Sequence, residues 1–271
     1  MTAWSGFAGL MPLEGYEPPG VESFDLPPLI PGQEWANKYL LQAVVSVVLI
    51  MAFWLVMSRK RALVPSKGQF LGESAYMFVR NSIARDTIGH DFKKWVPLLI
   101  ALFSFVLVNN LWGVFPLTLM PTAAHVGWAY GLAGLVWLIY NGIGIRKWGL
   151  IGYLKHTTMP PGVPGPMLLI VAPLEFLSNI IVRPATLSLR LFANMFAGHL
   201  LVLVFVLGGE YLLLHSEPIF NKVAGVASLI FSLAIFGLEI FGLEIFVQSL
   251  QAYIFTMLTA QYISSATAEE H

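Results

Sequence analysis

The stretch Leu187–Leu207, LSLRLFANMFAGHLLVLVFVL, decides the fold class of this chain. It carries a single formal charge, on Arg190. About 20 apolar residues cross the roughly 30 Å hydrocarbon core of a bilayer as one helix. An arginine at the centre of such a helix costs roughly 2.5–3.5 kcal/mol on insertion scales, and it stays charged because its pKa is above about 12. The stretch therefore predicts a membrane helix with one functional cation.

The composition of the whole chain agrees with an integral membrane protein. Of its 271 residues, 57% are hydrophobic and 11% are charged, whereas soluble domains carry about 25% charged residues. Fifteen basic and fifteen acidic side chains cancel, so the net charge gives no indication of a nucleic-acid partner, and none is expected. Cysteine is absent, which excludes disulfides and thiolate metal sites.

Residues 1–36 are predicted to form an acidic external arm. They contain five carboxylates and neither lysine nor arginine, and 11–32 is rich in proline and glycine, which is typical of irregular structure. No basic start precedes a continuous apolar core, so we expect no cleavable signal peptide. The basic run 59–61 follows the first apolar segment. The positive-inside rule then predicts an external N-terminus and a cytoplasmic C-terminus.

Residues 37–271 are predicted to form a single all-α membrane domain with about five crossing helices. Hydropathy places short spans at 37–58, 94–113 and 126–145. A mixed apolar and charged segment at 68–90 is predicted to lie at the membrane surface as an amphipathic helix. The alternative for this segment is a solvent-exposed linker helix.

Two further apolar stretches, 166–207 and 219–264, are too long for simple spans. At about 1.5 Å per residue, each would form a helix of about 60 Å, twice the hydrocarbon thickness. Each stretch could hide a hairpin, but neither contains a Gly/Pro/Asn cluster suited to a turn. The sequence therefore favours two long, strongly tilted, antiparallel helices. Pro184 then predicts a kink, and Gly208–Asn221 is predicted to join the two helices.

Polar residues in the two long stretches align when the helices are placed antiparallel. At about 100° per residue, Arg190 and Asn194 share one face, whereas His199 points the opposite way. One register brings three pairs opposite each other: Arg190 with Gln251, Asn194 with Gln248, and His199 with Glu244.

These residues carry two kinds of charge. Imidazole changes charge between pH 5 and 8, and a nearby carboxylate can hold a proton in transit, so His199 and Glu244 are candidates for proton transfer. Arg190 does not titrate and can repel protons or hold an anion. The alternatives are a structural ion pair of Arg190 with Glu239, a merely structural His199–Glu244 pair, and amides that only join helices. Glu175 could line an exit route or interact with a helix dipole.

Two motifs resemble those of a known family. Residues 188–199, SLRLFANMFAGH, resemble the signature of subunit a of F-type ATP synthases. Residues 250–256, LQAYIFT, resemble the second signature of that family, and the spacing of the motifs and the number of spans agree. The acidic arm and residues 79–86, VRNSIARD, resemble actinobacterial members.

The resemblance implies a stator subunit that forms two proton half-channels in a bacterial plasma membrane. Proton flow would be coupled to rotation of a c-subunit ring for ATP synthesis, beside b-type stator subunits and the rest of the complex. Arg190 would face each passing c-ring carboxylate, with Gln251 beside it. The outer half-channel would be lined by His199, Glu244, Asn194 and Gln248, and Glu175 and Glu239 would be weaker pathway candidates. No cofactor is expected, and without a Walker-type loop nucleotide chemistry would belong to other subunits.

Two other functional classes fit the sequence less well. An independent secondary ion transporter or channel would show internal repeats and helices broken at mid-membrane, and the sequence has neither pattern. A haem-binding membrane anchor would need paired histidines within the spans, and His199 is the only histidine inside a predicted span.

Overall fold

A computed structural model describes residues 20, 32–33, 37–59, 64–115, 118, 120–159, 165–215, 219–238 and 244–268. The regular secondary structure within these ranges is entirely helical, which confirms the predicted all-α class. Nearly all of the predicted external arm lies outside the described residues.

Nine α-helices follow one another along the described part of the chain. They are α1 (Lys38–Ser58), α2 (Lys67–Phe78), α3 (Asp86–Ile88), α4 (Val96–Leu111), α5 (Val126–Thr158), α6 (Gly165–Leu177), α7 (Arg183–His215), α8 (Ile219–Leu238) and α9 (Glu244–Thr267). Wider π-helical turns lie at Val79–Arg85 and Ser178–Val182, and tighter 3-10 turns lie at Gly89–Lys94 and Thr122–Ala124.

Three helical stretches among the described residues are long and apolar enough to cross a membrane. They are Lys38–Ser58, Val126–Thr158 and Met167–Leu214, and Val96–Leu111 and Lys222–Ala234 are shorter apolar helices. α1 and α4 therefore lie where hydropathy predicts the first two apolar helices, at 37–58 and 94–113. α1 begins where the Asn37 side chain accepts a hydrogen bond from the Leu40 N–H, which satisfies one free donor of the first turn. The number of crossings stays a prediction.

The segment predicted at 68–90 is helical, but its two halves differ. Phe70 and Leu71 in α2 are 63% and 56% exposed, whereas Val79 and Ile83 in the following π-helical turn are buried. The buried half packs into an apolar cluster with Leu99 of α4. The alternative of a fully solvent-exposed linker helix is therefore wrong. The location of α2 at the membrane surface stays a prediction.

α5 continues beyond the predicted end at residue 145. The two basic residues that follow are still helical, since arginine and lysine are good helix formers. Hydropathy marked the edge of the apolar region and not the end of the helix. Gly149 then breaks the helix with φ of 71°, a conformation that suits glycine. The last residues fold back, so that the Tyr153 ring occupies the space beside Gly144 and its hydroxyl donates to Asn141 Oδ1 at 3.0 Å.

The first long stretch contains no hairpin, because residues 165–215 are helical throughout. The π-helical turn Ser178–Val182 directly precedes Pro184, and such a turn accommodates the missing proline N–H. The prediction that the connection between the two long helices begins at Gly208 is wrong, since α7 runs to His215. A Cβ on Gly209 would lie 3.1 Å from the Gly225 carbonyl oxygen, so glycine here allows α7 and α8 to approach closely.

The second long stretch is helical on both sides of residues 239–243, which lie outside the described residues. A single continuous helix over 219–264 therefore stays a prediction. α7 packs mainly against α8 and α5, whereas α9 packs mainly against α4 and α5 and touches α7 over a short region. Ala252, Phe255 and Ile263 bury α9 in the main apolar core. The short contact between α7 and α9 holds the candidate site.

Candidate functional site

His199 of α7 and Glu244 at the start of α9 lie against each other. Nε2 of His199 is 3.1 Å from Oε1 of Glu244, and the two side chains are 15% and 13% exposed. Within the described ranges, Nε2 has no hydrogen-bond partner with suitable geometry, so the two groups are in close contact without an aligned hydrogen bond. The predicted pairing of His199 with Glu244 is confirmed. A carboxyl group and an imidazole at this distance lie within reach of direct proton transfer.

Gln248 holds the Glu244 carboxylate from the next turn of α9. Its Nε2 donates to Glu244 Oε1 at 2.7 Å, and the Gln248 side chain is 1% exposed. Residues four apart on a helix are neighbours, which explains this contact. The prediction that Gln248 pairs with Asn194 is wrong.

Asn194 instead meets Gln251. Asn194 Nδ2 donates to Gln251 Oε1 at 2.9 Å, and Gln251 is 2% exposed with its Nε2 unpartnered among the described residues. The predicted register assumes that α7 and α9 run side by side, but the two helices touch over a short region only. The predicted antiparallel register of α7 and α9 therefore holds for His199 with Glu244 but not for Asn194 with Gln248.

Arg190 differs from the other site residues because it is exposed on the surface of the bundle. Within the part of the chain that the structure describes, its guanidinium forms neither a hydrogen bond nor an ion pair, so the predicted pairing with Gln251 is absent. Its neighbours on the same face, Ala193, Asn194 and Ala197, are exposed too. Glu239, the alternative partner, lies outside the described residues.

Asn110 and Gly113 at the end of α4 complete the site and are absent from the predicted set. Asn110 Nδ2 donates to the Gln248 carbonyl oxygen at 3.5 Å, and its buried Oδ1 has no partner among the residues that the structure describes. A Cβ on Gly113 would lie 2.9 Å from His199 Nε2, so glycine leaves room beside the ring. The signal that points to this region is the pair of amides at 109–110 inside an apolar segment.

Buried polar groups continue from Asn110 towards the beginning of α1. Thr122 Oγ1 donates at 2.9 Å to Oδ1 of Asn109, the residue before Asn110, and lies 3.5 Å from Gln42 Oε1. Trp112 Nε1 donates to Ser46 Oγ at 2.7 Å. Such groups are costly in an apolar bundle. These buried polar groups lie on α1, on α4 and on the turn that follows α4, the same part of the bundle in which Asn110 contacts Gln248.

Glu175 belongs to a separate polar cluster at the other end of α7. Asn179 Nδ2 lies 3.4 Å from Glu175 Oε2 and also donates to the Thr157 carbonyl oxygen at 3.1 Å. α6 has no acidic residue in its first turn, and helix-dipole effects fall off within one turn, so the dipole interpretation of Glu175 is wrong. Along the helix axis, Glu175 lies about 22 Å before Arg190 and His199 about 13 Å after it.

The described residues contain no group of three or more His, Asp and Glu side chains that could hold a metal ion. The groups that the structure does place at the site are a carboxylate beside an imidazole, buried amides, and one guanidinium cation.

Residues 40–264 match the model of a protein family described as ATP synthase A chain. The match includes every predicted site residue. The chain belongs to the ATP synthase A chain family. It is 48% identical to the ATP synthase subunit a of a Nocardioides species over 95% of both chains. It is 48% identical to that of Pseudarthrobacter chlorophenolicus, over 94% of this chain and 95% of the relative.

A more distant ATP synthase subunit a, from Streptomyces lividans, is 35% identical over 95% of this chain and 90% of its own length. Membership of the ATP synthase A chain family confirms the resemblance inferred from residues 188–199 and 250–256. The actinobacterial origin of these relatives agrees with the resemblance noted at residues 79–86.

Proposed function

We propose that the chain is the stator subunit of the membrane sector of an F-type ATP synthase, as its relatives named ATP synthase subunit a suggest. It would provide two proton half-channels and couple proton flow to rotation of a ring of c subunits. The observation that carries this proposal is the position of Arg190. It is exposed and unpaired among the described residues, between the polar clusters around His199 and Glu175.

The outer half-channel would end at His199 and Glu244. Protons would reach this pair along the buried amides and hydroxyls of α1 and α4, and Asn110 and Gln248 would line the last step. Asn194 and Gln251 would continue the polar surface towards Arg190. A permanent cation beyond the titratable pair would then stop protons from passing directly to the inner side.

The exposed face around Arg190 would lie against the c-ring. Its small neighbours, Ala193 and Ala197, allow close approach of another helix. A c-ring carboxylate facing Arg190 would stay ionised, because an opposite charge favours its charged form. After moving past Arg190 it would take a proton from Glu244 or His199, and the neutral carboxyl could rotate through lipid.

The inner half-channel would release the proton near Glu175 after nearly a full turn of the ring. Asn179 holds the Glu175 side chain against the folded-back end of α5, which would keep this carboxylate at a fixed place on the route. Each proton crossing 100 mV supplies about 2.3 kcal/mol, so several protons would be needed for each ATP.

The chain would cross a bacterial plasma membrane several times, with its N-terminus outside and its C-terminus in the cytoplasm. The basic residues at 59–61 and 146–147 support this orientation. The chain itself would bind no nucleotide, and b-type subunits would hold it still against the c-ring. No observation favours the alternative of an independent transporter. Such a protein would show helices broken at mid-membrane, whereas the helical path over residues 165–215 is unbroken.

The direct functional test is an Arg190→Ala variant of the whole complex in membrane vesicles. Proton-driven ATP synthesis should fall to the background of vesicles without the complex, because neither the c-ring carboxylate nor the barrier between half-channels would have its cation. Arg59→Gln, which removes an exposed arginine at the end of α1, is the matched control and should synthesise ATP normally. Normal synthesis by Arg190→Ala would reject the proposal.

A further inference from the structure

A polar cavity lies at the basic end of the bundle, the end that carries Lys94, Arg146 and Lys147. It is separate from the residues proposed to carry protons. It has a volume of about 1000 Å³ and opens between the 3-10 turn Gly89–Lys94, α5 and the end of α9. Its polar lining includes His90, Asp91, Lys94, Arg146, Lys147 and Thr267. A cavity of this size holds a small molecule or a headgroup.

The charges around the cavity favour an anion. Among the described residues, three basic side chains, Lys94, Arg146 and Lys147, line the cavity together with one carboxylate, Asp91. The ion pair between Asp91 Oδ1 and Lys94 Nζ at 3.2 Å has both side chains about two-thirds exposed, so it is weak. Arg146 forms no ion pair or hydrogen bond with any residue in the described ranges. Its planar guanidinium fits two oxygens of a phosphate group.

Lys147 is held at the rim of the cavity by groups on two helices. Its Nζ donates to the Thr267 carbonyl oxygen at 2.8 Å and lies 4.9 Å from the centre of the Trp148 ring. Trp148 Nε1 in turn donates to the Ala266 carbonyl oxygen at 3.2 Å. The end of α5 is therefore fixed against the end of α9, and the cationic rim is preformed.

The apolar segments of three helices end around this cavity. α4 begins at Val96 directly after Trp95, the apolar part of α5 ends at Ile145, and Ile263 of α9 is followed by two serines. Tryptophan is enriched where the hydrocarbon core meets the headgroups, and both Trp95 and Trp148 lie at this level. The cavity therefore lies at headgroup depth, and Ile143 adds an apolar wall.

We propose that this cavity binds the phosphate-bearing headgroup of an anionic phospholipid, with Arg146 and Lys94 supplying the charge that selects it. Basic pockets between membrane helices on the cytoplasmic side bind such headgroups. Free phosphate offers the same oxygens, but the apolar wall and the headgroup depth favour a lipid. The bound lipid would hold the 3-10 turn, α5 and α9 together at the basic end of the bundle.

The test uses the purified complex in nanodiscs that contain a photoreactive phosphatidylglycerol with its reactive group near the headgroup. Crosslinked peptides from 88–95, 143–148 and 264–268 are quantified by mass spectrometry. Excess phosphatidylglycerol should displace the label, whereas phosphatidylcholine and inorganic phosphate should not. Labelling affinity should fall about fivefold in Arg146→Gln and about 30-fold when Lys94→Gln is added. Lys67→Gln, an exposed charge outside the cavity, should leave labelling unchanged.

Four outcomes would overturn the proposal. Equal displacement by phosphatidylcholine would show lipid contact without headgroup selection, and displacement by inorganic phosphate would show a site for the free ion. Unchanged labelling in the double variant would remove the two cations from the site. Labelling that arises only after deletion of 269–271 would identify the acidic end of the chain as the occupant. Because this assay measures lipid and not proton flow, its result is independent of the proposed proton pathway.

Discussion

His199 and Arg190 lie nine residues apart on α7, and their surroundings differ completely. His199 is mostly buried and meets Glu244 of the same chain at 3.1 Å. Arg190 is exposed and finds no counter-charge in the described part of the chain. A charge exposed on an apolar bundle is costly unless water or a partner faces it. The difference supports the proposal that His199 acts within the chain, whereas Arg190 acts at an interface with another one.

Among substitutions around His199, Glu244→Gln should reduce passive proton flux the most. The amide can keep the contact with Gln248 but cannot hold a proton as a carboxyl group does. Passive proton flux through vesicles stripped of the catalytic sector should therefore fall about 100-fold, the scale of a lost acid–base group.

Glu210→Gln is the control for Glu244→Gln, because Glu210 is an exposed carboxylate on α7. Its flux should match the wild type. If Glu244→Gln vesicles conducted protons as fast as the control, Glu244 would not belong to the pathway. The contact of His199 with Glu244 would then be only structural.

Gly113→Leu should reduce proton flux by about tenfold, since a side chain there would displace His199 and Gln248 and close the polar route between α4 and α7. Gly134→Leu is the matched control, because a Cβ at Gly134 would meet no atom within 4 Å. Equal flux in the two variants, measured as decay of an imposed pH gradient, would show that the space beside His199 carries no protons.

Asn110→Leu should lower the same flux about fivefold. The substitution keeps the branching of the side chain at Cγ but removes the buried Oδ1 that has no partner in the described structure, and one interhelical polar contact is worth about 1 kcal/mol. Asn141→Leu, on α5, serves as a control for loss of an amide elsewhere. A flux in Asn110→Leu that equals the control would confine the pathway to α7 and α9.

Gly225→Ala should leave proton flux per assembled complex almost unchanged. The added methyl group would lie 2.9 Å from the Gly209 carbonyl oxygen and force α7 and α8 apart, which typically costs about 1–3 kcal/mol. The melting temperature of the complex should fall, and Gly134→Ala should have no such effect. A large loss of flux at full assembly would instead make the α7–α8 contact part of the pathway.

Hydropathy predicted α1 and α4 well because the length and apolar content of a span follow from bilayer thickness. It predicted the end of α5 too early. The connection that the sequence placed from Gly208 onwards is in fact the last part of α7 up to His215. Glycine in a membrane helix serves close packing as often as chain reversal, and the sequence alone does not show that α8 packs against Gly209. The π-helical turn before Pro184 depends in the same way on tertiary context.

Part of the site could also be predicted. The His199–Glu244 contact followed from helical geometry because the two residues are polar positions within the two long apolar stretches. The pairing of Asn194 with Gln251 did not, because the register depends on how α9 is held by α4 and α5. Asn110 was missed since its partner is a backbone carbonyl, which no sequence pattern marks. The partner of Arg190 stays a prediction, since the described part of the chain offers its guanidinium no counter-charge.

The most direct measurement of the central claim is a disulfide crosslink between Arg190→Cys and a cysteine placed at the c-ring carboxylate. The chain contains no cysteine of its own, so a background without other reactive thiols is within reach. The account predicts rapid crosslinking at position 190 and little at position 199, tested with His199→Cys. Failure at 190 with both thiols reactive to maleimide, or equal crosslinking at 199, would contradict it.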